Sequence, residues 1–364
     1  MKTQPRKILV TGAAGFIGAR FIESCRQTAQ GIPANQAARG EPGTSALSEL
    51  SVISVDHPRP FGLEGYATPG LAEGAADAAR SEHQAVDFGT RVPAADLEAW
   101  LAREQPALDS IIHLGAISTT TEFNWAKFQR WNIDYSKMLW SYAVKHQVPF
   151  IYASSAATYG EGEAGYDDDE TTMAALKPLN PYGRSKLEFD LWALDQDRQG
   201  LAPPAWSGFK FFNVYGYGER HKGKQASVVL HSYDQIRRTG RATLFKSHRE
   251  AIADGEQRRD FVFIDDVIRV LQFARQQPIH RGIYNLGTGQ ARSFLDLARA
   301  TFAALGKPAD IGFVPTPEAI RDKYQYFTEA RTARLRAAGY SAPFTSLEDG
   351  IRQYVARLRT HETA

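Results

Sequence analysis

A doubly wound α/β fold, with a parallel sheet covered by helices on both faces, is predicted by three features. A glycine-rich turn, Gly12 to Gly18, joins the apolar run Lys7–Thr11 to an amphipathic stretch. Short apolar runs at 52–55, 111–114 and 150–153 each end in small or polar residues, as buried parallel strands do where they meet a ligand crevice. Helical patterns separate these runs until about residue 212, where the regular alternation stops. The expected architecture is therefore Rossmann-like, with a smaller, discontinuous C-terminal substrate domain. Residues 1–212 and 261–288 would form the dinucleotide-binding domain, and 213–260 with 289–364 the substrate-binding domain.

The composition excludes several function classes. At 364 residues the chain can bury a substantial core, and its 43 basic against 41 acidic residues give no broad footprint for nucleic acid or an anionic membrane. Cys25 is the single cysteine, which rules out an intrachain disulfide; beside Phe21 and Ile22 it reads as a buried, inert thiol. No metal is expected, because the nine histidines show no paired ligand spacing. Ile8–Leu9–Val10 is too short for a signal segment, and no apolar run approaches the ~18 residues of a membrane span, so a cytoplasmic protein is expected.

In the first unit Gly12 allows the tight turn, Gly15 lets backbone amides approach a pyrophosphate, and Gly18 allows close packing of helix on strand. The spacing is Gly-x-x-Gly-x-x-Gly, and alone it is a weak signal. Its setting between a strand and an amphipathic helix running to about Gln27 makes it a dinucleotide turn. Residues 28–50, with Gly31, Pro33, Gly40, Pro42 and Gly43, read as a surface insertion. Asp56 ends the next strand and fits an acidic ribose ligand or a plain strand-end turn; the insertion explains why it lies beyond the usual ~20 residues from the turn. His57 and Arg59 follow, and Arg59 would suit an added phosphate, so NAD and NADP both remain open. Ala85–Val86–Asp87 is expected as the third strand, Asp87 being an ordinary strand-end carboxylate or an adenine contact.

Ser110–Ala116 forms the fourth strand and its turn, where Gly115 and Ala116 let backbone lie against a cofactor. Ser118 to Glu122 then cap a helix, about 125–146 and carrying Asn132, or touch a ligand. Phe150–Ala153 delivers Ser154 and Ser155 to the same sheet edge. The acidic run Asp167–Glu170 reads as a solvated loop. Pro178 to Pro181 introduce a helix on which Tyr182 and Lys186 share a face, an arrangement in which an ammonium, with a dinucleotide cation, favours the phenolate and makes a base. The same spacing also occurs on plain solvated helices.

Phe209–Phe212 leads to Asn213, a substrate contact or a turn residue. His221–Lys224 lies in a loop before a helix that begins at Ala226 and includes His231. The basic groups at Lys246, Arg258 and Arg259 suit a diphosphate-bearing ligand, although each alone is equally a surface charge. Phe261–Ile264 and Ile283–Gly287 read as strands, the second being the last to join the sheet, and helices are expected near 293–305, 328–338 and 346–358.

Glycine turn, Ser155, Tyr182 and Lys186, in that order, resemble the extended short-chain dehydrogenase/reductase superfamily, and the resemblance spans most of the chain. Within it, Ser154–Gly160, Asn213–Gly216, His221–Gly223, Ala226–Val228, Arg259–Val262 and Tyr324–Gln325 resemble the ADP-L-glycero-D-manno-heptose 6-epimerase family of lipopolysaccharide precursor synthesis. The resemblance implies an isomerase with bound NADP, NAD being the alternative, that acts on a nucleotide sugar by transient oxidation at C6. A homo-oligomer, pentameric in the family, is implied too. Tyr182 and Lys222 would be the acid/base pair, with Lys186 supporting Tyr182 and Ser155 beside the reacting oxygen.

The implied cofactor contacts are Gly12, Gly15, Phe16, Ile17 and Gly18, then Asp56, His57 and Arg59. Leu114, Gly115, Ala116, Ser118 and Asn132 complete them, with Tyr182 and Lys186. Ser118, Asn213, Lys224 and His231 would meet the substrate together with Phe245, Arg259 and Tyr324. Departures from the family pattern are the 28–50 insertion, added residues at 249–257, and Lys224 and Gln225. Alternatives are a 4-epimerase, a dehydratase, which Ala156 and Ala157 argue against because a methyl group transfers no proton, and a non-catalytic dinucleotide sensor, which the intact Ser155, Tyr182 and Lys186 argue against.

Overall fold

Ile8 and Val10 enter one hydrophobic core and Leu9, between them, enters another, all three completely buried. Such alternation with both faces apolar is what a central parallel strand requires. The computed structural model describes residues 6–29, 50–57, 82–83, 86–277, 281–321 and 324–362. Most of the expected 28–50 insertion, the segment 60–80 and Arg59 lie outside the described residues.

The first half alternates strand and helix. It comprises β1 (Arg6–Thr11), α1 (Phe16–Ala29), β2 (Leu50–Asp56), β3 (Thr90–Pro93), α2 (Leu97–Glu104) and β4 (Ser110–His113). Next come α3 (Trp125–Phe128), one π-helical stretch (Gln129–Asp134), α4 (Tyr135–His146), β5 (Phe150–Ser155), α5 (Pro181–Arg198) and β6 (Trp206–Phe211). After β7 (Asn213–Tyr215) come α6 (Val228–Thr239), β8 (Ala242–Phe245), β9 (Arg258–Phe263), α7 (Ile264–Gln276) and β10 (Gly282–Leu286). The chain closes with β11 (Ala291–Ser293), α8 (Phe294–Leu305), β12 (Ile311–Val314), α9 (Glu318–Arg321), α10 (Ala333–Ala337) and α11 (Leu347–Glu362).

Seven parallel strands lie in the order β10-β6-β5-β4-β1-β2-β3. Strand order reverses between β1 and β4, the switch point at which open parallel sheets hold their ligands beyond the carboxyl ends of the strands. A three-stranded sheet, β11-β9-β7, and the parallel pair β12-β8 form the smaller part. The domain division expected at 260/261 falls inside β9, whose six residues pair with β7 and β11.

Two expectations change in detail. The third strand is Thr90–Pro93, not 85–87, because the chain turns first: Gly89 takes φ 61°, its N–H donates to the Asp87 carboxylate at 3.0 Å, and Ser54 Oγ donates to Phe88 O at 2.6 Å. Asp87 also pairs with Arg26 at 3.0 Å, so its carboxylate is engaged in the turn that precedes the strand rather than at a strand end. The helix expected over 328–338 is only Ala333–Ala337. Its first part is drawn out as extended chain, since Thr328 N–H donates to Arg258 O and Ala330 N–H to Asp260 Oδ2.

Candidate active site

At the switch point Gly12 has φ 66°, and a Cβ there would sit 2.6 Å from Gly115 N and 2.9 Å from Leu114 C. A Cβ on Gly18 would strike the Gly12 carbonyl oxygen. The turn and the Leu114–Ala116 segment are thus packed backbone to backbone, and the N–H groups of the first turn of α1 have no intrahelical acceptors. Free amides at a helix N-terminus with no side chain in the way are the arrangement that can hold a pyrophosphate. Gly12→Ala should cost about 1–2 kcal/mol from the left-handed backbone alone, before the overlap with Gly115. Purified variant carrying the wild-type content of nicotinamide, measured by absorbance, would refute this use of the turn.

Asp56 closes the turn from the neighbouring strand. Its carboxylate accepts Ala14 N–H at 2.8 Å and His57 N–H at 2.7 Å, while burial raises its pKa against these donors and the nearby His57. His57 meets Trp131 edge-on at 6.1 Å. Behind the turn runs a relay that sequence reasoning missed. Ser136 Oγ donates to Asn132 O at 2.7 Å and therefore accepts from His113 Nε2 at 2.8 Å; His113 Nδ1 then accepts from Thr11 Oγ1 at 2.7 Å. Burial, with Lys186 nearby, lowers His113 to about 3, so it stays neutral and supports this tautomer. Thr11 Oγ1 also accepts Gly115 N–H at 3.0 Å. The relay locks β1, β4 and the Asn132 turn together.

Asn180 caps α5 by accepting Gly183 N–H at 2.8 Å, with Pro181 preset in the first turn. This cap fixes Tyr182, which is partly exposed, one turn before the buried Lys186. The Lys186 ammonium donates to Ala153 O at 2.8 Å. Asn132 ties the group together, its amide donating to Ser185 Oγ at 2.9 Å and Ile117 O at 3.0 Å while it accepts Ile117 N–H at 2.8 Å. Burial raises the Tyr182 phenol, Ser155 pulls it down and Asp190 pushes it up. Burial also lowers Lys186 to about 8, against Asp190. Without the dinucleotide cation, the protein's own groups therefore keep Tyr182 protonated at neutral pH, burial being the largest cause.

Beneath Ser155 lies a second missed feature. Asp190, two turns past Tyr182, accepts from Tyr152 Oη at 2.9 Å, Ser154 Oγ at 2.7 Å and Lys210 Nζ at 2.8 Å. Lys210 and Asp190 are both fully buried. The visible signal was a lysine in the apolar run of β6, which demands a buried anion. The acidic loop is not simply solvated either: Asp168 is buried and accepts Asn285 N–H at 2.7 Å, and Glu170 pairs with Arg334 at 2.7 Å.

Lys222 stands in the turn Arg220–Gln225, its ammonium 5.2 Å from the centre of the Phe16 ring and 3.8 Å from the buried Glu219. Gln225 donates to Thr119, which joins this turn to the loop that carries the exposed Ser118. On the smaller domain Arg259 is buried, donates to the carbonyls of Arg258 and Gln325, and lies 5.5 Å from the Tyr324 ring. Among the described residues no carboxylate pairs with it, and burial lowers its pKa, so it is a cation suited to an anionic ligand. Phe245 meets Tyr324 edge-on at 6.3 Å, and Gln325 donates to Gly160 O at the end of the Ser155 turn. Asn213 and Lys224 are exposed and His231 half-buried; among the described residues these three make no recorded side-chain contact with the Tyr182 group. Cys25 is buried, which pushes its thiol up to about 11. No helix among the described residues is long and apolar enough to cross a membrane.

A family model described as the NAD dependent epimerase/dehydratase family matches residues 8–287. An ADP-L-glycero-D-manno-heptose-6-epimerase of Fusobacterium nucleatum is 45% identical over 277 residues, 73% of this chain and 82% of the relative. One of Alkalilimnicola ehrlichii is 35% identical over 350 residues, 96% of each chain. The solved Helicobacter pylori ADP-L-glycero-D-manno-heptose-6-epimerase superimposes with a TM-score of 0.72 at 26% identity, covering 99% of this chain and 98% of that one.

Proposed function

Because this chain belongs to the NAD-dependent epimerase/dehydratase family, we propose that it is an ADP-glycero-manno-heptose 6-epimerase. One observation supports the reading: Lys222 lies against Phe16 at the start of the helix that follows the glycine turn, while Tyr182 stands on α5 one turn before Lys186, and we read Tyr182 and Lys222 as the two proton-transfer groups. The cofactor is a nicotinamide dinucleotide, which supplies reversible hydride acceptance at C6 when bound. We assign NADP, with Gly12, Gly15 and Gly18 at its pyrophosphate and Asp56 and His57 at the adenosine side.

Each epimer presents its C6 hydroxyl in a different position, so one base cannot reach both. Tyr182 takes or returns the proton for one epimer, Ser155 holding the same oxygen, and Lys222 does so for the other. Lys186 supports Tyr182, and the positive charge of an oxidised nicotinamide would act in the same direction. Arg259 engages the diphosphate, with Phe245 and Tyr324 flanking the nucleotide. Asn213, Lys224 and His231 complete the substrate side, and Ser118 serves either ligand. Ala156 and Ala157 have no proton to give, which disfavours elimination of water. We assign the two discontinuous units to cofactor and substrate, and a homo-oligomeric, cytoplasmic enzyme; light scattering would test the assembly.

The deciding measurement incubates the purified protein with ADP-D-glycero-D-manno-heptose and follows the C6 epimers by NMR without external reductant. Approach to a mixture of epimers is expected. An unchanged spectrum from protein shown to carry cofactor would overturn the substrate assignment, and turnover of a UDP-hexose at C4 would replace it with a 4-epimerase.

A further inference from the structure

The buried Asp190–Lys210 pair lies outside the acid/base machinery and yet is built into α5, which carries Tyr182 and Lys186, and bonded to β5, which carries Ser155. Asp190 sits one turn after Lys186 on α5. Its carboxylate gathers Tyr152 and Ser154 from β5 and Lys210 from β6, with both charges fully buried. Lys210 Nζ also donates to Thr158 Oγ1 at 2.7 Å, and Thr158 Oγ1 donates to Ser155 O at 2.8 Å. The anion is thus bonded directly to Tyr152 and Ser154 of β5, linked through Lys210 and Thr158 to the turn at Ser155, and one helical turn from Lys186.

We propose that Asp190 is a positioning residue that sets the charge states of Tyr182 and Lys186 from beneath the site, with Lys210 as the counterion that lets it remain an anion in the core. This rests on the reading of Tyr182 and Lys186 as the proton-transfer group. A buried carboxylate raises the pKa of any titratable group near it, because it favours the protonated phenol and the protonated amine alike. Both groups feel Asp190 in that direction, against burial in the case of Lys186.

The other groups facing this region do not compete. His113, on β4, is held neutral by burial. Tyr152 and Tyr159 are raised well above the ordinary phenol value by burial and stay protonated. Asp168 and Glu170, which bear on those two tyrosines, are turned toward Asn285 and Arg334. Lys210 reaches Asp190, Thr158 and the face of Tyr159, 5.2 Å away.

The consequence has a sign. In Asp190→Asn the anion is gone while an acceptor remains for Tyr152 or Ser154. Both Tyr182 and Lys186 should then lose protons at lower pH, so both limbs of the bell-shaped rate profile move to lower pH, by about one pH unit. This holds whichever group governs which limb. A residue that merely holds the fold would lower the rate and leave the limbs in place.

The single variant strands Lys210 in the core, so the double variant D190N/K210M, which leaves no buried charge unpartnered, is measured beside it. It should fold and move in the same downward direction, by less than the single variant, because the Lys210 cation, which acts oppositely to Asp190, is removed as well. The test follows turnover against pH in the wild type and both variants. In parallel, ultraviolet titration of the cofactor-loaded protein, taken as the difference from Tyr182→Phe in each background, reads the Tyr182 phenol without any substrate. Downward movement in either readout is the expected result. If the wild type turns over nothing, the substrate assignment fails and the optical titration still decides. Limbs and phenol titration unmoved or moved to higher pH in the folded variants would overturn the role of Asp190.

Discussion

Tyr182→Phe should lower epimerisation by about a thousandfold, the middle of the range for loss of a positioned acid/base, while cofactor content and thermal stability stay at wild-type values. Only the hydroxyl is removed. The Asn180 cap, the Asn132 tether and the Lys186 bond to Ala153 O are all made by other atoms. The wild-type rate should follow a bell, since the active form needs Tyr182 without its proton and Lys186 with one. One limb should fall near pH 8, where Lys186 titrates. Unchanged turnover in Tyr182→Phe, measured by NMR of the C6 epimers, would remove the residue from the chemistry.

Lys222→Met should cost about a hundredfold or more in interconversion, and its geometry makes the cause separable. The ammonium rests on Phe16, the first residue of α1, and faces the Glu219 carboxylate. If Lys222 transfers a proton, the variant should retain cofactor and fail in catalysis. Were its work to hold the dinucleotide, the variant would lose cofactor on purification, and an excess of NADP would restore the rate. Calorimetric titration of cofactor beside the NMR assay separates the two, and restoration by NADP would sink the two-base proposal.

What could be read from the residues was local. The glycine turn, the Asn180–Pro181 start of α5 and the strand ends at Leu114 and Ser155 are short-range patterns whose physics is complete within a few residues. Tyr182 and Lys186 share a face by four-residue spacing and take their meaning from the glycine turn and Ser155 upstream. What escaped was pairing across distance. Lys210 announces in its apolar strand that an anion must lie nearby, yet nothing local names Asp190 as that anion. The run Asp167–Glu170 reads as solvated by charge density, whereas two of its four carboxylates are taken up by the backbone of Asn285 and by Arg334. The stretch before Ala333 carries a helical pattern but is drawn out along β9, where tertiary hydrogen bonds override propensity. Burial of the Tyr182 phenol, which raises its pKa in the protein alone, is likewise invisible in spacing.

The place of β10 matters during synthesis as well. It lies at the outer edge of the large sheet against β6, yet it is translated only after β7, α6, β8, β9 and α7. While those segments leave the ribosome, β6 presents an unpaired edge of Trp206 to Phe211, an apolar template for pairing with another nascent chain. A chain cut short before Gly282 should therefore aggregate rather than fold, and shielding of that edge by a chaperone should matter most in the interval before Leu286 emerges.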